Sequence, residues 1–127
     1  MAAFMSSYSS QTYALLRIVS GLLFAFHGSQ KVLSWPLEAS AGMPWFITYI
    51  AAPIELIGGL LILVGLFTTW AAFLSSGLMA VAYWMAHGTK ALFPQENQGE
   101  LAILYCFVFL LISAKGSGIW SIDDSRK

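Results

Sequence analysis

Residues 51–64 read AAPIELIGGLLILV, an apolar run interrupted by one proline, one glutamate and a pair of glycines. Extended to residues 46–67, the run is long enough to cross about 30 Å of hydrocarbon, which takes roughly 20 helical residues. Glu55 then lies about 13 Å inside the span, at the helical rise of about 1.5 Å per residue. The run predicts a membrane helix with a carboxylate inside the bilayer.

Three further runs, residues 13–31, 70–87 and 100–114, have similar apolar character. Tryptophan favours membrane interfaces, and the five tryptophans fall at the predicted span ends, with Trp35, Trp45 and Trp84 on one face and Trp70 and Trp120 on the other. Thr68-Thr69 is predicted to be the tight turn between spans two and three. The fold class is therefore an all-α membrane protein, in which residues 1–127 form one antiparallel bundle of four transmembrane helices.

The composition supports the same class and excludes another. Hydrophobic residues make up 58% of the chain and charged residues 9%, against about 25% charged residues in an average soluble domain. Lys plus Arg and Asp plus Glu each number 6, so no basic surface exists for nucleic acid. The lipid bilayer is the expected partner, and nucleic-acid binding is not expected.

Basic residues near the span ends predict the orientation. Lys31 and Lys90 lie on one face, and the face that holds both termini has four, Arg17, Lys115, Arg126 and Lys127. We therefore expect both termini in the cytoplasm. The first span is expected to remain as an anchor, because the small residues at 39–41 that resemble a signal-peptidase site lie well beyond its end.

Ionisable residues inside the spans are expensive, at roughly 2.5–3.5 kcal/mol for an unpaired charge at mid-membrane. The antiparallel arrangement brings most of the polar groups to one end of the bundle: His27, Gln30, Lys31, Glu55, His87, Asn97 and Glu100. We predict a ligand-binding or proton-relay site there, with His27 or Arg17 as the cationic partner of Glu55. Arg17 lies near the opposite face and is a candidate for a structural ion pair. Glu100 could equally favour the start of its helix.

Two local patterns add to this reading. Pro53 removes a backbone hydrogen bond and predicts a loosened helix around Glu55. The segment from His27 to Lys31 ends span one as the segment from His87 to Lys90 ends span three. This echo suggests a duplicated helical hairpin, as in transporters built from parallel repeats.

The chain resembles the DoxX family of small bacterial membrane proteins through most of its length. The matching motifs are Arg17 with Gly21 and His27-Gly28, Pro53-Ile54-Glu55 with Gly58-Gly59, Asn97-Gln98-Gly99-Glu100-Leu101, and the ending Lys115-Gly116-Ser117-Gly118 with Trp120-Ser121-Ile122-Asp123. Ser117 departs from the proline usual in the ending. The resemblance implies a four-helix protein of the bacterial inner membrane that is associated with redox chemistry, quinone or oxidative stress. Relatives include the small subunit of thiosulfate:quinone oxidoreductase. The resemblance transfers no catalytic residue.

The leading hypothesis is a redox-linked protein that binds a non-covalent quinone or quinone-like molecule at the polar cluster. His27, Gln30 or Lys31 would donate a hydrogen bond to a quinone carbonyl, and Glu55 would relay protons. Three aromatic residues would cover the ring, namely Phe24, Trp35 and Trp84.

Two alternatives remain open. The chain has no nucleotide fingerprint, cysteine pair or haem motif, which favours equally a non-catalytic subunit that recruits or stabilises a soluble oxidoreductase. A transition-metal site or small transporter would use His27, His87, Glu55 and Glu100, although the metal-ligand spacing signal is poor and no metal is expected. Small-residue faces also make a homo-oligomer plausible.

Overall fold

The computed structural model describes Met1 and residues 3–127, and the regular secondary structure of that part of the chain is all helical, without strands. A 3₁₀ turn over Ser6–Tyr8 precedes the first helix, and a π-helical turn over Ile47–Ala51 leads into the second. The α-helices are α1 (Ser9–Leu33), α2 (Ala52–Val64), α3 (Thr68–Ala86), α4 (Pro94–Asn97), α5 (Glu100–Lys115) and α6 (Ile122–Ser125).

The four long helices pack antiparallel in two pairs, α1 with α2 and α3 with α5. Glycines set the distance between α1 and α2. A methyl group added at Gly21 would lie 2.6 Å from the Leu63 backbone nitrogen and 2.8 Å from the Gly59 carbonyl oxygen, so the backbones touch there. Such close approach is how helices associate in lipid, where packing rather than the hydrophobic effect holds them together.

An aromatic cluster joins the two pairs at the centre of the bundle. Phe24 of α1 makes ring contacts with Tyr105 and Phe109 of α5, with centroids 5.3 and 4.7 Å apart. Ile62 and Ile112 are fully buried beside it. The core therefore lies between all four long helices.

The predicted spans coincide with the four long helices, but the turn between the second and third was placed wrongly. α2 ends at Val64, because Gly65 adopts a positive φ of 71°, and α3 already begins at Thr68. The turn is therefore Gly65 to Phe67. The π turn before Pro53 confirms the loosened helix predicted there, since the Ala52 N–H reaches back five residues to the Ile47 carbonyl.

Two helical segments are long and apolar enough to cross a membrane by length and composition, Ile47–Val64 and Thr68–Ala86. Only 33% and 28% of their residues are buried inside the protein. Large apolar side chains therefore point outward from both segments. The core helix of a soluble protein buries that surface instead, so this pattern is typical of a lipid-facing helix.

Arg17 is fully buried, yet it does not form the ion pair that the sequence predicted. Its guanidinium donates five hydrogen bonds to backbone carbonyls, two at the end of α2 and three in the C-terminal segment, all between 2.7 and 3.1 Å. The acceptors are Ile62, Leu63, Ser117, Ile119 and Trp120. All five N–H groups of a guanidinium are thereby satisfied, because helix ends leave carbonyls without partners.

The C-terminal segment also holds the start of α3. The Asp123 carboxylate accepts hydrogen bonds from the backbone N–H groups of Phe67 and Thr68 and from the Thr68 hydroxyl, at 2.8–3.0 Å. Partial burial acts to raise the pKa of Asp123, but these three hydrogen bonds and the charge of Arg126 together lower the pKa below its ordinary value of 3.8. The remote carboxylate therefore stabilises a helix N-terminus that has no cap of its own.

We predict that Gly21→Ala lowers the melting temperature of the detergent-purified protein, because its methyl group must force α1 and α2 apart at a cost of about 1–3 kcal/mol. Gly77→Ala is the matched control, since nothing lies within 4 Å of a methyl group there. Gly77→Ala should melt at the same or a slightly higher temperature, because alanine favours a helix over glycine. Equal melting temperatures for both variants would contradict the close packing of α1 on α2.

Candidate functional site

A cavity of about 380 Å³ lies between the four long helices at the end of the bundle opposite the termini. Its apolar lining includes Phe24, Ala51, Met79, Ala82, Leu101 and Ala102. Its polar lining consists of His27, Lys31, Glu55, His87, Gln98 and Tyr105. The cavity is therefore a mostly apolar chamber with its polar groups on several walls.

An ion pair across α1 and α2 forms one wall of the cavity. Lys31 Nζ donates to both carboxylate oxygens of Glu55, at 2.6 and 2.7 Å. Glu55 is only 3% exposed, whereas the Lys31 side chain keeps 28% of its surface. The partner of Glu55 is thus Lys31 rather than His27 or Arg17. The close backbone contact at Gly28 brings the last turn of α1 beside α2, and the long lysine chain covers the remaining distance.

The rings of His27 and Tyr105 lie next to each other in the lining of the cavity, edge to face and with 6.0 Å between their centroids. Within the described part of the chain, neither the imidazole nitrogens nor the Tyr105 hydroxyl takes part in a hydrogen bond, and both residues line the cavity. The fully buried side-chain atoms without a partner are Gln11 Oε1 and Ser75 Oγ, so the polar atoms of His27 and Tyr105 keep some accessible surface. They are therefore available to a molecule in the cavity.

The loop between α3 and α5 closes the end of the cavity. His87 Nδ1 lies 2.9 Å from the Asn97 carbonyl oxygen. Since a carbonyl only accepts, Nδ1 carries the hydrogen and is the donor. The Asn97 amide donates to the Tyr83 hydroxyl and the Ala91 carbonyl, and its oxygen accepts from the Gly99 N–H. Asn97 therefore shapes the loop instead of lining the cavity.

Two other residues of the predicted polar cluster lie outside the cavity. The Gln30 amide donates to the Glu38 carbonyl at 3.1 Å, and Glu100 is exposed at the first position of α5. The cavity thus contains His27, Lys31, Glu55 and His87 of the predicted set. Because Glu100 lies at the start of α5, its negative charge interacts favourably with the helix macrodipole, which is the alternative role stated for it above.

The predicted aromatic cover is only partly at the cavity. Phe24 lines it, but Trp35 and Trp84 are 58% and 65% exposed and lie outside. Tyr105 takes their place, a residue that the sequence analysis missed. The sequence did offer an indication of Tyr105, because it is a single tyrosine, with a polar hydroxyl, in the otherwise apolar run of α5. Gln98 was also missed, and nothing comparable in the sequence marks it.

Only the first of the two predicted hairpin repeats has the ion pair. Lys90 and Glu100, the counterparts of Lys31 and Glu55, are both exposed, and in the described residues the ion pairs are Lys31–Glu55 and Lys127–Asp124. Across Met1 and residues 3–127, no three side chains of His, Cys, Asp or Glu come together as a metal-binding group. The duplication itself stays a prediction.

Comparison with known proteins shows the family of this chain. The DoxX family model matches residues 12–88, which run from the first turn of α1 to just past the end of α3. The chain belongs to the DoxX family. DoxX proteins are membrane proteins, so the outward apolar faces of the helices contact lipid. The matched segment contains His27, Lys31, Glu55 and His87, while Tyr105 lies beyond it.

Two curated relatives resemble this DoxX chain. An uncharacterized protein of Haemophilus influenzae is 36% identical over 128 residues, covering 94% of each chain. The Bacillus subtilis protein named "Putative oxidoreductase CatD" is 41% identical over 58 residues, covering 42% of this chain and 43% of the relative. No solved structure matches the chain.

We predict that Glu55→Gln lowers the unfolding free energy by about 2–3 kcal/mol, somewhat less than the roughly 3–5 kcal/mol typical of breaking a fully buried pair, because Lys31 keeps some water contact. Lys31→Met should also destabilise, and the double variant should lose clearly less than the sum of the two. Unfolding in mixed micelles of rising dodecyl sulfate content measures all three.

Lys90→Met is the control for that cycle, since Lys90 is an exposed lysine in the turn after α3. It should change the unfolding free energy by less than about 0.5 kcal/mol. Strictly additive losses for Lys31→Met and Glu55→Gln would show that the two side chains do not stabilise each other.

Proposed function

We propose that this DoxX protein is a redox-associated membrane protein whose four long helices all cross the bilayer and whose cavity binds the ring of a quinone. The observation that carries the proposal is the pairing of a ring-sized cavity with the unpartnered polar groups of His27 and Tyr105. The ion pair of Lys31 and Glu55 adds a charged wall to the same cavity.

The apolar side chains that point outward from the bundle support the proposal that all four long helices cross the bilayer. α5 exposes Leu101, Leu104, Phe107, Leu110 and Leu111, and α1 exposes Leu15, Leu16, Val19, Leu22 and Leu23. These exposed faces of α1 and α5 are as apolar as those of the two segments named above, so they too are expected to contact lipid. At 25 residues, α1 is about 37 Å long, and at 16 residues α5 is about 24 Å long, short of the bilayer core by an amount that local thinning accommodates.

The cavity suits a substituted ring in size and chemistry. Its volume of about 380 Å³ lies within the range of roughly 300–1,000 Å³ usual for small-molecule sites. Phe24 and Tyr105 supply aromatic surface, and Met79 and alanines supply a smooth apolar wall. A flat apolar ring with polar oxygens at its edge matches such a lining.

A bound quinone would supply the capacity to accept electrons and protons. The Tyr105 hydroxyl and the His27 imidazole would donate hydrogen bonds to its carbonyl oxygens. The Glu55 carboxylate, hydrogen-bonded to Lys31 on the same cavity wall, would relay the protons that accompany reduction of the ring. The protein's own residues therefore orient the ring and manage protons, while electrons must come from outside.

An oxidoreductase partner would deliver those electrons. The chain contains no nucleotide fingerprint, cysteine pair or haem motif that could carry them. The Bacillus subtilis relative bears an oxidoreductase name, which supports a redox setting for this family member. Binding a quinone and assisting a partner are then two parts of one role.

The basic residues favour cytoplasmic termini, and hence a cavity near the external face of the inner membrane. Both termini lie at the end of the bundle where Tyr13 donates to the Gly116 carbonyl. Lys31, in the last turn of α1, and His87, just after the end of α3, lie at the opposite end of the bundle, beside the cavity. An external cavity would exchange protons with the outside of the cell.

We predict that a methylated benzoquinone without a hydrocarbon tail binds the protein in lipid nanodiscs, and that Tyr105→Phe and His27→Phe each weaken binding about fivefold to tenfold by removing one hydrogen bond. Isothermal titration calorimetry measures the affinity. Tyr49→Phe is the control, since Tyr49 is 75% exposed outside the cavity. Absence of binding, or unchanged affinity in both cavity variants, would overturn the proposal.

For the orientation, we predict that a membrane-impermeant maleimide labels Ser40→Cys on intact cells, but labels Ser125→Cys only after the cells are permeabilised. Both positions are exposed, in the loop after α1 and at the end of α6. Cys106→Ser, which removes the native cysteine, is the background for both variants. The reverse labelling pattern would place the termini outside.

A further inference from the structure

A second concavity, of about 210 Å³, runs along the seam between α1 and α5. Leu16, Val19 and Leu23 form its α1 wall, and Leu104 and Val108 form its α5 wall. It exists because α1 packs chiefly on α2, and α5 packs chiefly on α3. The two helices meet through the ring contacts of Phe24, which leave the outer part of the seam unfilled.

The groove adjoins the cavity. Leu101 and Tyr105 line both of them, so the two spaces share a wall at one point on α5. From there the groove extends from Leu23 toward Leu16, a distance of roughly 10 Å along α1 at the helical rise. That direction leads away from the polar end of the bundle and into the depth of the bilayer.

The groove offers hydrocarbon surface and almost nothing polar. Its one short polar residue, Ser20, already donates its hydroxyl proton to the Leu16 carbonyl at 2.6 Å. Leu23, Val19 and Leu104 are 48%, 50% and 62% exposed, so the groove opens sideways to lipid along its length. An occupant of the groove must therefore be apolar and flexible.

The geometry points to a ligand with a long hydrocarbon chain, whose ring lies in the cavity and whose chain lies in the α1–α5 groove. The inference rests on the proposed function and narrows it, because the site then selects membrane-dissolved quinones over water-soluble ones. Ring and chain enter together from the bilayer through the lateral opening. The shared wall at Leu101 and Tyr105 is where the chain leaves the ring.

The test compares two probes in nanodiscs, a decyl-substituted benzoquinone and the same ring without the tail, both dosed as mole fraction in the lipid. Equal mole fractions remove the effect of membrane partitioning. We expect the tailed probe to bind about tenfold more tightly, from the added van der Waals contacts of the chain. Leu104→Trp, which fills the groove, should abolish that difference and leave the affinity of the tail-less ring unchanged.

Leu110→Trp is the matched control. Leu110 lies on the same helix and is 44% exposed, but it is not part of the groove. It should leave both affinities as they are. Circular dichroism spectra and melting temperatures equal to those of the parent protein confirm that both tryptophan variants fold.

The outcomes separate the two proposals. If the two probes bind equally and Leu104→Trp changes neither affinity, the groove holds only bulk lipid and the inference is overturned while quinone binding stands. If neither probe binds, or if Tyr105→Phe affects neither, the proposed function fails first. A tenfold advantage of the tailed probe that disappears in Leu104→Trp alone supports the chain site.

Discussion

The backbone contact between α1 and α2 is the constraint on which the rest of the structure depends. Gly21 faces Gly59 across the two helices, Gly28 lies against the backbone of Leu56 and Ala52, and no side chain separates the backbones. Because the helices are this close, a lysine at the end of α1 can reach a carboxylate in the first turn of α2. A wider spacing would leave Glu55 as an isolated charge among apolar side chains, which is unfavourable in lipid. The glycines thus make the buried charges tolerable.

The two ends of the bundle handle buried charge in opposite ways. At the end with the termini, carbonyl oxygens occupy every donor of the Arg17 guanidinium, so Arg17 has nothing left to offer a ligand. At the other end, Lys31 and Glu55 satisfy each other, while His27 and Tyr105 keep polar atoms free beside a cavity. The buried charge that only stabilises the fold and the polar groups that could bind a ligand therefore lie at opposite ends of the bundle. This division favours one functional site.

The sequence was sufficient for the all-helical class and for the positions of the four long helices, because hydrophobic run length, tryptophan position and helix breakers are local signals. The same information located the polar end of the bundle and His27, Lys31, Glu55 and His87 within it. It could not choose the partner of Glu55, since that depends on helix rotation and side-chain reach, which spacing along one chain does not determine. Backbone carbonyls as the partners of Arg17 were equally hidden, because a carbonyl is present at every position and leaves no mark in the sequence. Remote capping of α3 by Asp123 explains the misplaced turn.

The carbonyl shell of Arg17 has a consequence for the order in which the bundle assembles. Three of its five acceptors, Ser117, Ile119 and Trp120, follow α5 in the chain, whereas Arg17 lies in the first helix. Before the segment after α5 docks, the guanidinium has only the carbonyls at the end of α2 as partners. Docking of that segment therefore completes the shell, since without it three donors of a buried guanidinium would lack acceptors.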